Sequence, residues 1–259
     1  MPPKQINKAG RYIISKGRLS GHPHGIYEQT RALKVNPGKT ITVETDFGEV
    51  DTDSIVIATN AYSPMLGLFK NSILAISDYV IATEPLSDEQ MQSLGWEGRN
   101  GFSDTRNIFN YVRISEDNRI IFGGESPAYY FGNRPGSINN KKILLTLEKR
   151  LLTLWPQLKG VKITHRWGGT DGFSRDEMPL IGVMGEYNNI YYGVGYSGEG
   201  VVWPQAAGEI ISQLYAGEDT EMTRFELVNR KIPYMPPEPL KKIGFEAIVR
   251  SYIFKDKYF

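Results

Sequence analysis

The chain has 259 residues, enough for one large domain or two ordinary ones, and its 40% hydrophobic and 23% charged residues indicate a globular protein. The 30 basic and 29 acidic residues give a formal net charge of +1, which indicates no nucleic-acid or acidic-membrane partner. The absence of cysteine excludes disulfides and cysteine nucleophiles, and with only 3 histidines we expect no metal site. No apolar run reaches the length of a membrane span, so we expect a cytoplasmic protein.

A regular secondary-structure pattern in the sequence begins near Gly25. Residues 1–24 show no clear period and are interpreted as a poorly ordered lead-in. The stretch "GIYEQTRALKV" then predicts a strand, and the alternating residues 40–52 predict a hairpin around a turn at 46–48. The continuous apolar run "SIVIAT" is typical of a strand covered on both faces.

Further along the chain, strand patterns are interrupted by three helical patterns. "SDEQMQSLG" predicts a short helix capped by Ser87, and apolar residues at helical spacing over 143–155 predict an amphipathic helix that ends at Pro156. A third helix begins near Gly200 and ends at Gly217. Strand patterns cover "ILAISDYVIATEPL", "NIFNYVRISEDNRIIFGG", "VKITHRWGG" and "NNIYYGVG". This order predicts an α+β fold, derived from α/β, with two sheet systems.

The segment "GVGYSG", residues 193–198, matches the dinucleotide fingerprint G-x-G-x-x-G, with a strand pattern before it and a helix pattern after it. A dinucleotide-binding unit also needs a second buried strand that ends in an acidic residue about 20 positions later. Residues 218–239 supply acids without such a strand, so we do not interpret the turn as a pyrophosphate site. Two interpretations remain open: a helix N-terminus that favours an anionic group, or a plain strand–turn–helix junction.

Six stretches in a fixed order carry a family resemblance: "GIYEQTRALKV", "DSIVIATNAYSP", "YVIATEPL", "YVRISEDNRIIFGGES", "WGGTDGFSRDEMPLIG" and "NIYYGVGYSGEGVV". Together they resemble the C-terminal part of FAD-dependent oxidoreductases of the D-amino-acid oxidase superfamily, in particular the glycine oxidase and gamma-glutamylputrescine oxidase branch. The resemblance covers roughly residues 25–230.

The resemblance implies a partial FAD-binding domain over residues 25–65 and 161–230. It also implies a substrate-binding domain with a large mixed β-sheet over 66–160, followed by a C-terminal tail over 231–259. FAD is the implied cofactor, and without cysteine its attachment is noncovalent. The implied reaction oxidises an amine or amino-acid-like substrate by hydride transfer from the C–N carbon to flavin N5, which gives an imine. The resemblance assigns no catalytic residue.

Cofactor-binding positions follow from the same resemblance. Ala32 follows the strand beside the adenine. Ala58, Thr59 and Asn60 match a turn near the FAD phosphates and ribose, where Asn60 can still adopt the left-handed conformation of the family's glycine. The turn at 193–198 corresponds to the family's flavin loop, whose N–H groups face flavin N1 and the C2 carbonyl, and Glu199 is alternatively a cap of the next helix. The loop residues are Gly195, Ser197, Gly198, Glu199, Gly200 and Val201.

Three residues are candidates for substrate binding. Asp171 stands four positions after Trp167, where amino-acid-oxidising relatives carry a carboxylate-binding arginine, so it favours a cationic amine; the alternative is an Asp-Gly turn. Tyr111 and Arg113 share one face of a predicted strand, where Arg113 could bind a carboxylate; the alternative is an ordinary exposed sheet face. Trp167 itself is predicted to lie in the core.

The family's own G-x-G-x-x-G segment is not found before Gly25 and is expected upstream of Met1. This leaves a second hypothesis, in which the chain is a noncatalytic truncated fragment that cannot bind FAD alone. A separate polypeptide that carries the dinucleotide-binding segment is then a candidate partner, beside the small-molecule amine substrate.

Overall fold

The computed structural model describes residues 14–16, 25–125, 127–137 and 140–258. Its strands are β1 (Ile14–Lys16), β2 (Gly25–Tyr27), β3 (Ala32–Asn36), β4 (Ile41–Thr45), β5 (Gly48–Thr52), β6 (Ile55–Ile57), β7 (Leu74–Thr83), β8 (Phe102–Ser103), β9 (Asn110–Ile114), β10 (Ile120–Gly124), β11 (Ala128–Tyr129), β12 (Ile163–Phe173), β13 (Leu180–Met184) and β14 (Ile190–Val194). Its α-helices are α1 (Asp88–Ser93), α2 (Lys141–Leu154), α3 (Trp203–Ala216) and α4 (Leu240–Tyr258), and 3-10 helices cover Asn60–Leu66 and Pro156–Leu158. The fold is mixed α and β, as the sequence predicts, but the described residues form four sheets where the sequence predicts two sheet systems.

The chain divides into two compact units. The first runs to Ala75 and resumes over Asp171–Pro236, and the second comprises Ile76–Thr170 and Pro237–Phe259. The predicted lead-in lies outside the described residues except for β1, which pairs antiparallel with β2 where the sequence predicts no strand. The assignment of FAD-binding and substrate-binding domains to particular ranges stays a prediction.

A three-stranded sheet of order β13-β14-β6 forms the centre of the first unit. Strand β14 runs parallel to β6 and antiparallel to β13. Helix α3 covers one face, where Ala207 and Ile210 pack against Ile181. The antiparallel meander β3-β4-β5 covers the other face, where Ile41 packs in one core with Ile57. The prediction that β6 is covered on both faces is wrong, because Val56 is 54% exposed in this last strand of the sheet, whereas Ile57 is buried.

The two parallel strands decide where polar groups can gather. Because β6 and β14 run in the same direction, the segments that follow them, 58–60 and 195–198, leave the sheet at the same edge. At the opposite edge, the buried carboxamide of Asn189 donates to the carbonyls of Gly38 and Asp53, both at 3.0 Å. These bonds hold the amino end of β14 against the neighbouring loops.

The second unit is built on a sheet of order β11-β7-β10-β9-β8, with β12 also paired to β7. Helix α2 covers one face of this sheet, where Leu147 and Leu151 are buried in one core with Tyr79 and Phe122. The amphipathic helix predicted in this part of the sequence is therefore confirmed. The apolar stripe of α2 faces the sheet and excludes water from the core between them.

Local sequence signals have mixed outcomes. Strands β4 and β5 form the predicted hairpin, in which Thr45 pairs with Gly48. Helix α1 begins after Ser87, whose hydroxyl accepts from the Gln90 N–H at 3.2 Å while the Gln90 side chain accepts from the Ser87 N–H at 2.8 Å. The single strand predicted over "GIYEQTRALKV" is wrong, because a turn with Gln29 in the left-handed region (φ 59°) separates β2 from β3.

The C-terminal residues form a helix where the sequence predicts a tail. Leu240–Tyr258 is the 19-residue helix α4. Its exposed large apolar side chains occur all along the helix and its pattern lacks a single apolar stripe, so the sequence gives no amphipathic signal. Polar contacts fix its end instead: the Asp256 carboxylate accepts from the N–H groups of Asn107 at 2.7 Å and Ile108 at 2.9 Å.

Leu147→Ala is expected to lower the free energy of unfolding by about 2–5 kcal/mol, because the side chain is 0% exposed and its removal leaves a cavity between α2 and the sheet. Leu145 lies on the same helix with 55% exposure, and Leu145→Ala should change stability by less than about 0.5 kcal/mol. Denaturant unfolding followed by tryptophan fluorescence measures both variants. Equal losses would contradict the orientation of α2.

Candidate functional site

The candidate site begins where β6 ends. Ala58 is exposed and Thr59 is partly buried, and Asn60 then starts a 3-10 helix with a left-handed backbone (φ 39°). The Thr59 hydroxyl lies 2.8 Å from the Ser63 hydroxyl and closes the turn. Asparagine adopts left-handed backbone conformations more readily than most residues, and the left-handed conformation predicted for Asn60 is confirmed, while its contact with a cofactor stays a prediction.

The side chain of Asn60 connects this turn to two other segments. Its Oδ1 accepts from the N–H of Gly195 at 2.8 Å, directly after β14. Its Nδ2 donates to Oδ1 of Asp171 at 2.6 Å, near the end of β12. One carboxamide therefore joins the ends of three strands, β6, β14 and β12.

Asp171 is placed between these segments with both carboxylate oxygens engaged. Oδ1 also accepts from the N–H of Gly172 at 2.8 Å, and Oδ2 accepts from the N–H of Gly198 at 2.6 Å. The predicted alternative of an Asp-Gly turn is wrong, because both residues belong to strand β12. Three protein donors thus occupy this carboxylate, and its contact with a substrate cation stays a prediction.

Gly172 allows the strands to approach closely at this point. A Cβ atom built there would lie 2.5 Å from Oδ1 of Asn60 and 2.9 Å from the N of Ala61. Both distances are too short for a side chain, and one partner is main chain that cannot rotate away. Glycine at this position is therefore a requirement of the Asn60–Asp171 contact.

The glycine loop, residues 195–201, is shaped by left-handed conformations and by the end of β12. Gly195 (φ 71°), Ser197 (φ 52°) and Gly198 (φ 96°) all have positive φ. The N–H of Ser197 donates to the carbonyl of Gly172 at 2.9 Å, and its hydroxyl accepts from the N–H of Ser174 at 3.1 Å. These contacts compensate for the strain of a serine in this conformation.

The free donors of the glycine loop are fewer than the sequence predicts. Ser197, Gly198 and Glu199 use their N–H groups inside the protein, the last of them bonding to the carbonyl of Tyr196 at 3.0 Å. Within the described residues, the N–H groups of Gly200 and Val201 have no acceptor. These two donors point to the part of the loop that remains available to a ligand.

Helix α3 begins immediately after these donors. Its N-cap, Val202, makes no side-chain capping bond, and Pro204 lies in its first turn. The proposed capping role of the Glu199 side chain is therefore wrong; the carbonyl of Glu199 instead accepts from the N–H of Trp203 at 3.2 Å. An uncapped helix start has a positive dipole end that stabilises nearby negative charge.

Ala32 is the one predicted cofactor position that lies in the apolar core. It belongs to β3, is 7% exposed and packs in the cluster that contains Ile57 and Val194. Its side chain is enclosed by protein, whereas the segments 58–60 and 195–201 meet at the edge of the sheet. The structure thus gathers the predicted cofactor residues except Ala32 with Asp171.

The second unit carries the other two candidates on one face of β9. Along this strand Asn110, Val112 and Ile114 are buried, while Tyr111 is partly buried and Arg113 is exposed. The prediction that Tyr111 and Arg113 share a face is therefore confirmed by the alternation. Their part in substrate binding stays a prediction.

Tyr111 has a carboxylate partner that the sequence analysis missed. Its hydroxyl donates to Oδ2 of Asp78 at 2.5 Å, and burial together with the Asp78 charge raises the pKa of the phenol. The ring lies across β10, where a Cβ on Gly123 would come within 2.3 Å of it. The sequence gives no signal for this contact, because it depends on the pairing of both β7 and β9 with β10.

The prediction that Trp167 lies in the core is wrong, because its side chain is 40% exposed.

The described residues do not support two other classes of site. No group of three His, Asp or Glu among them could hold a metal ion. No helix in the described ranges is both long enough and apolar enough to span a membrane.

Comparison with known proteins identifies the class. A model of the FAD dependent oxidoreductase family, DAO, matches residues 23–214. The match covers most of the chain, so this protein belongs to that family, and the predicted resemblance is confirmed. Membership of this family implies FAD as the cofactor, in agreement with the sequence prediction.

Individual relatives are oxidoreductases of larger size. The chain is 30% identical over 242 residues to the "Probable oxidoreductase OrdL" of Haemophilus influenzae, covering 90% of this chain and 52% of that protein. It is 31% identical to the gamma-glutamylputrescine oxidoreductase of Escherichia coli, covering 82% of this chain and 47% of the relative. The chain thus spans about half the length of these relatives.

Solved structures agree at the level of the fold. Glycine oxidase from Geobacillus kaustophilus superposes with a TM-score of 0.63 at 17% identity, covering 80% of this chain and 54% of that one. L-proline dehydrogenase from P. horikoshii gives a TM-score of 0.57 at 21% identity, covering 77% of this chain and 52% of the other. These similarities show a shared fold over part of the larger enzymes.

Gly172→Ala is expected to lower the free energy of unfolding by about 1–3 kcal/mol, because the new methyl group collides with Asn60 and the main chain of Ala61. Gly169, three residues earlier in β12, is the matched control, because a Cβ there meets nothing within 4 Å. Thermal or denaturant unfolding compares the two alanine variants. A loss at position 169 as large as that at 172 would refute the close approach.

Proposed function

We propose that this chain forms the flavin side of an FAD site and contributes to the oxidation of an amine or amino-acid-like substrate. The observation that carries the proposal is the pair of free N–H donors on Gly200 and Val201, at the uncapped start of α3. Membership of the FAD dependent oxidoreductase family supports FAD as the ligand. The carboxyl ends of the parallel strands β6 and β14 are also where ligands bind in open α/β sheets.

The residues fit the flavin part of such a cofactor. Gly200 and Val201 can donate to a carbonyl or ring nitrogen, and the positive end of α3 stabilises negative charge that develops there. The exposed Ala58 and the Thr59 turn would line the same edge of the sheet. FAD, when bound, supplies the acceptor of a hydride from the C–N carbon of the substrate, at flavin N5. The chain has no cysteine and so cannot hold a flavin through a cysteinyl thioether, and noncovalent attachment is part of the proposal.

The second unit supplies the proposed substrate contacts. Arg113 is exposed and can form a paired hydrogen bond with a substrate carboxylate. Tyr111 is oriented by Asp78 through its hydroxyl, so its ring is held across the sheet. Burial and the Asp78 charge raise the pKa of Tyr111, which stabilises the protonated phenol as the donor to Asp78.

A second candidate function follows from the coverage of the relatives. This chain matches 52% of OrdL and 47% of gamma-glutamylputrescine oxidoreductase. In this alternative the chain keeps the fold but is noncatalytic, and it binds FAD only with a separate polypeptide that supplies the dinucleotide-binding segment. The two candidates differ in whether the chain alone retains the cofactor.

Titration of the purified chain with FAD decides between them. We expect stoichiometric binding that perturbs the visible flavin spectrum, followed by anaerobic bleaching on addition of an amine such as glycine or gamma-glutamylputrescine. Binding without bleaching by any amine of a broad panel would contradict the oxidase proposal. A spectrum identical to that of free FAD would favour the noncatalytic alternative.

Val201→Pro tests the proposed donors directly. It removes the free N–H of residue 201 and should weaken FAD binding about tenfold, the effect of one lost hydrogen bond. Val201→Ala keeps the N–H and removes only a side chain that is 80% exposed, so its affinity should match the parent. Equal affinities of the two variants would exclude this N–H as a cofactor contact.

A further inference from the structure

We infer that Asp171 is a positioning residue that fixes the glycine loop through Asn60 and Gly198, rather than a contact to a cationic substrate. The inference rests on the proposed function only where the loop is taken to face a flavin. The dependence of the loop conformation on Asp171 needs no ligand and is tested separately.

The carboxylate of Asp171 is used by the protein itself. Its two oxygens accept three hydrogen bonds, from Asn60, Gly172 and Gly198, at 2.6, 2.8 and 2.6 Å. Bonds of this length to an ionised acceptor are among the stronger hydrogen bonds in proteins. A substrate cation would have to compete with these donors, which belong to three segments of the same unit.

The bond to Gly198 sets the position of the free donors. Gly200 follows two residues later, so the direction of the chain at Gly198 determines where the N–H groups of Gly200 and Val201 lie. Ser197 is left-handed (φ 52°), a conformation that persists only where neighbouring contacts enforce it. Loss of the acceptor at Asp171 therefore releases Gly198, directly beside the left-handed Ser197.

Each hydrogen bond of the network has a fixed donor and a fixed acceptor, so substitutions that exchange them test the network. The Asn60 carboxamide has an acceptor toward Gly195 and a donor toward Asp171. In Asp171→Asn, the new amide NH₂ must face either the Asn60 NH₂ or the Gly198 N–H, so two donors oppose each other. In Asn60→Asp, two carboxylates oppose each other in place of the 2.6 Å bond.

The double variant Asn60→Asp/Asp171→Asn restores complementary groups. The new carboxylate at position 60 can accept from the Gly195 N–H and from the new amide at position 171. The carbonyl oxygen of that amide can accept from the Gly198 N–H. Only the Gly172 N–H loses its acceptor, so we expect the double variant to recover most of the parent behaviour.

Amide hydrogen exchange without FAD is the first measurement, on peptides that cover the glycine loop in the full chain. Each single variant should raise the exchange rate of the loop about tenfold, and the double variant should return it toward the parent rate. FAD affinity and the visible flavin spectrum are the second measurement. The single variants should bind FAD about tenfold more weakly with an altered spectrum, and the double variant should recover both.

Asn189→Ala is the matched control, because it breaks hydrogen bonds at the amino end of β14 in the same unit. It should lower global stability while leaving the flavin spectrum unchanged, and also the hydrogen exchange of the loop once that is corrected for the lower stability.

The inference is overturned if the single variants leave loop exchange at the parent rate, or if the double variant is no better than either single one. A rise in KM for a cationic amine in Asp171→Asn, with unchanged loop exchange, would instead establish substrate contact. If the parent chain binds no FAD, the proposed function fails, and loop exchange still decides the inference.

Discussion

The carboxylate of Asp171 is the interaction on which the candidate site depends. It joins Asn60, which lies 111 residues earlier in the chain, to Gly198, which lies 27 residues later. Asn60 in turn binds Gly195, so the ends of three strands share one hydrogen-bond network. The bonds of Asn60 to Asp171 and Gly195 are partly buried, so a donor or acceptor left unpaired there is more costly than the loss of an exposed bond.

Apolar and polar forces have separate tasks in the first unit. Burial of Ile57 and Val194 in one core brings β6 and β14 together as parallel neighbours, which places the following segments at one edge. Burial is not directional, so it cannot choose the conformation of those segments. The directional bonds of Asn60 and Asp171 make that choice, and among the described residues of the loop they leave the N–H groups of Gly200 and Val201 without an acceptor.

The sequence predicts the features whose signals are local. The hairpin of β4 and β5, the Ser87 cap and the stripe of α2 depend on residues a few positions apart, and each is confirmed. The family follows from ordered motifs along the chain. Helix α4 is not predicted, because its apolar residues follow no single stripe. The hydrogen-bond network around Asp171 is not predicted either, because strand order sets the pairing of its donors and acceptors, and no local sequence pattern encodes that order.

Both units are discontinuous in sequence, which has a consequence for synthesis on the ribosome. The buried cluster under α2 uses residues between Tyr79 and Leu158, so its members emerge in one continuous stretch. The cluster around Ile41 needs buried partners as late as Val194 and must close a loop around residues 76–170 of the second unit. The apolar residues of β3, β4 and β6 therefore stay exposed until β14 has been synthesised. During this interval the exposed apolar surface and unpaired strand edges favour aggregation of the nascent chain.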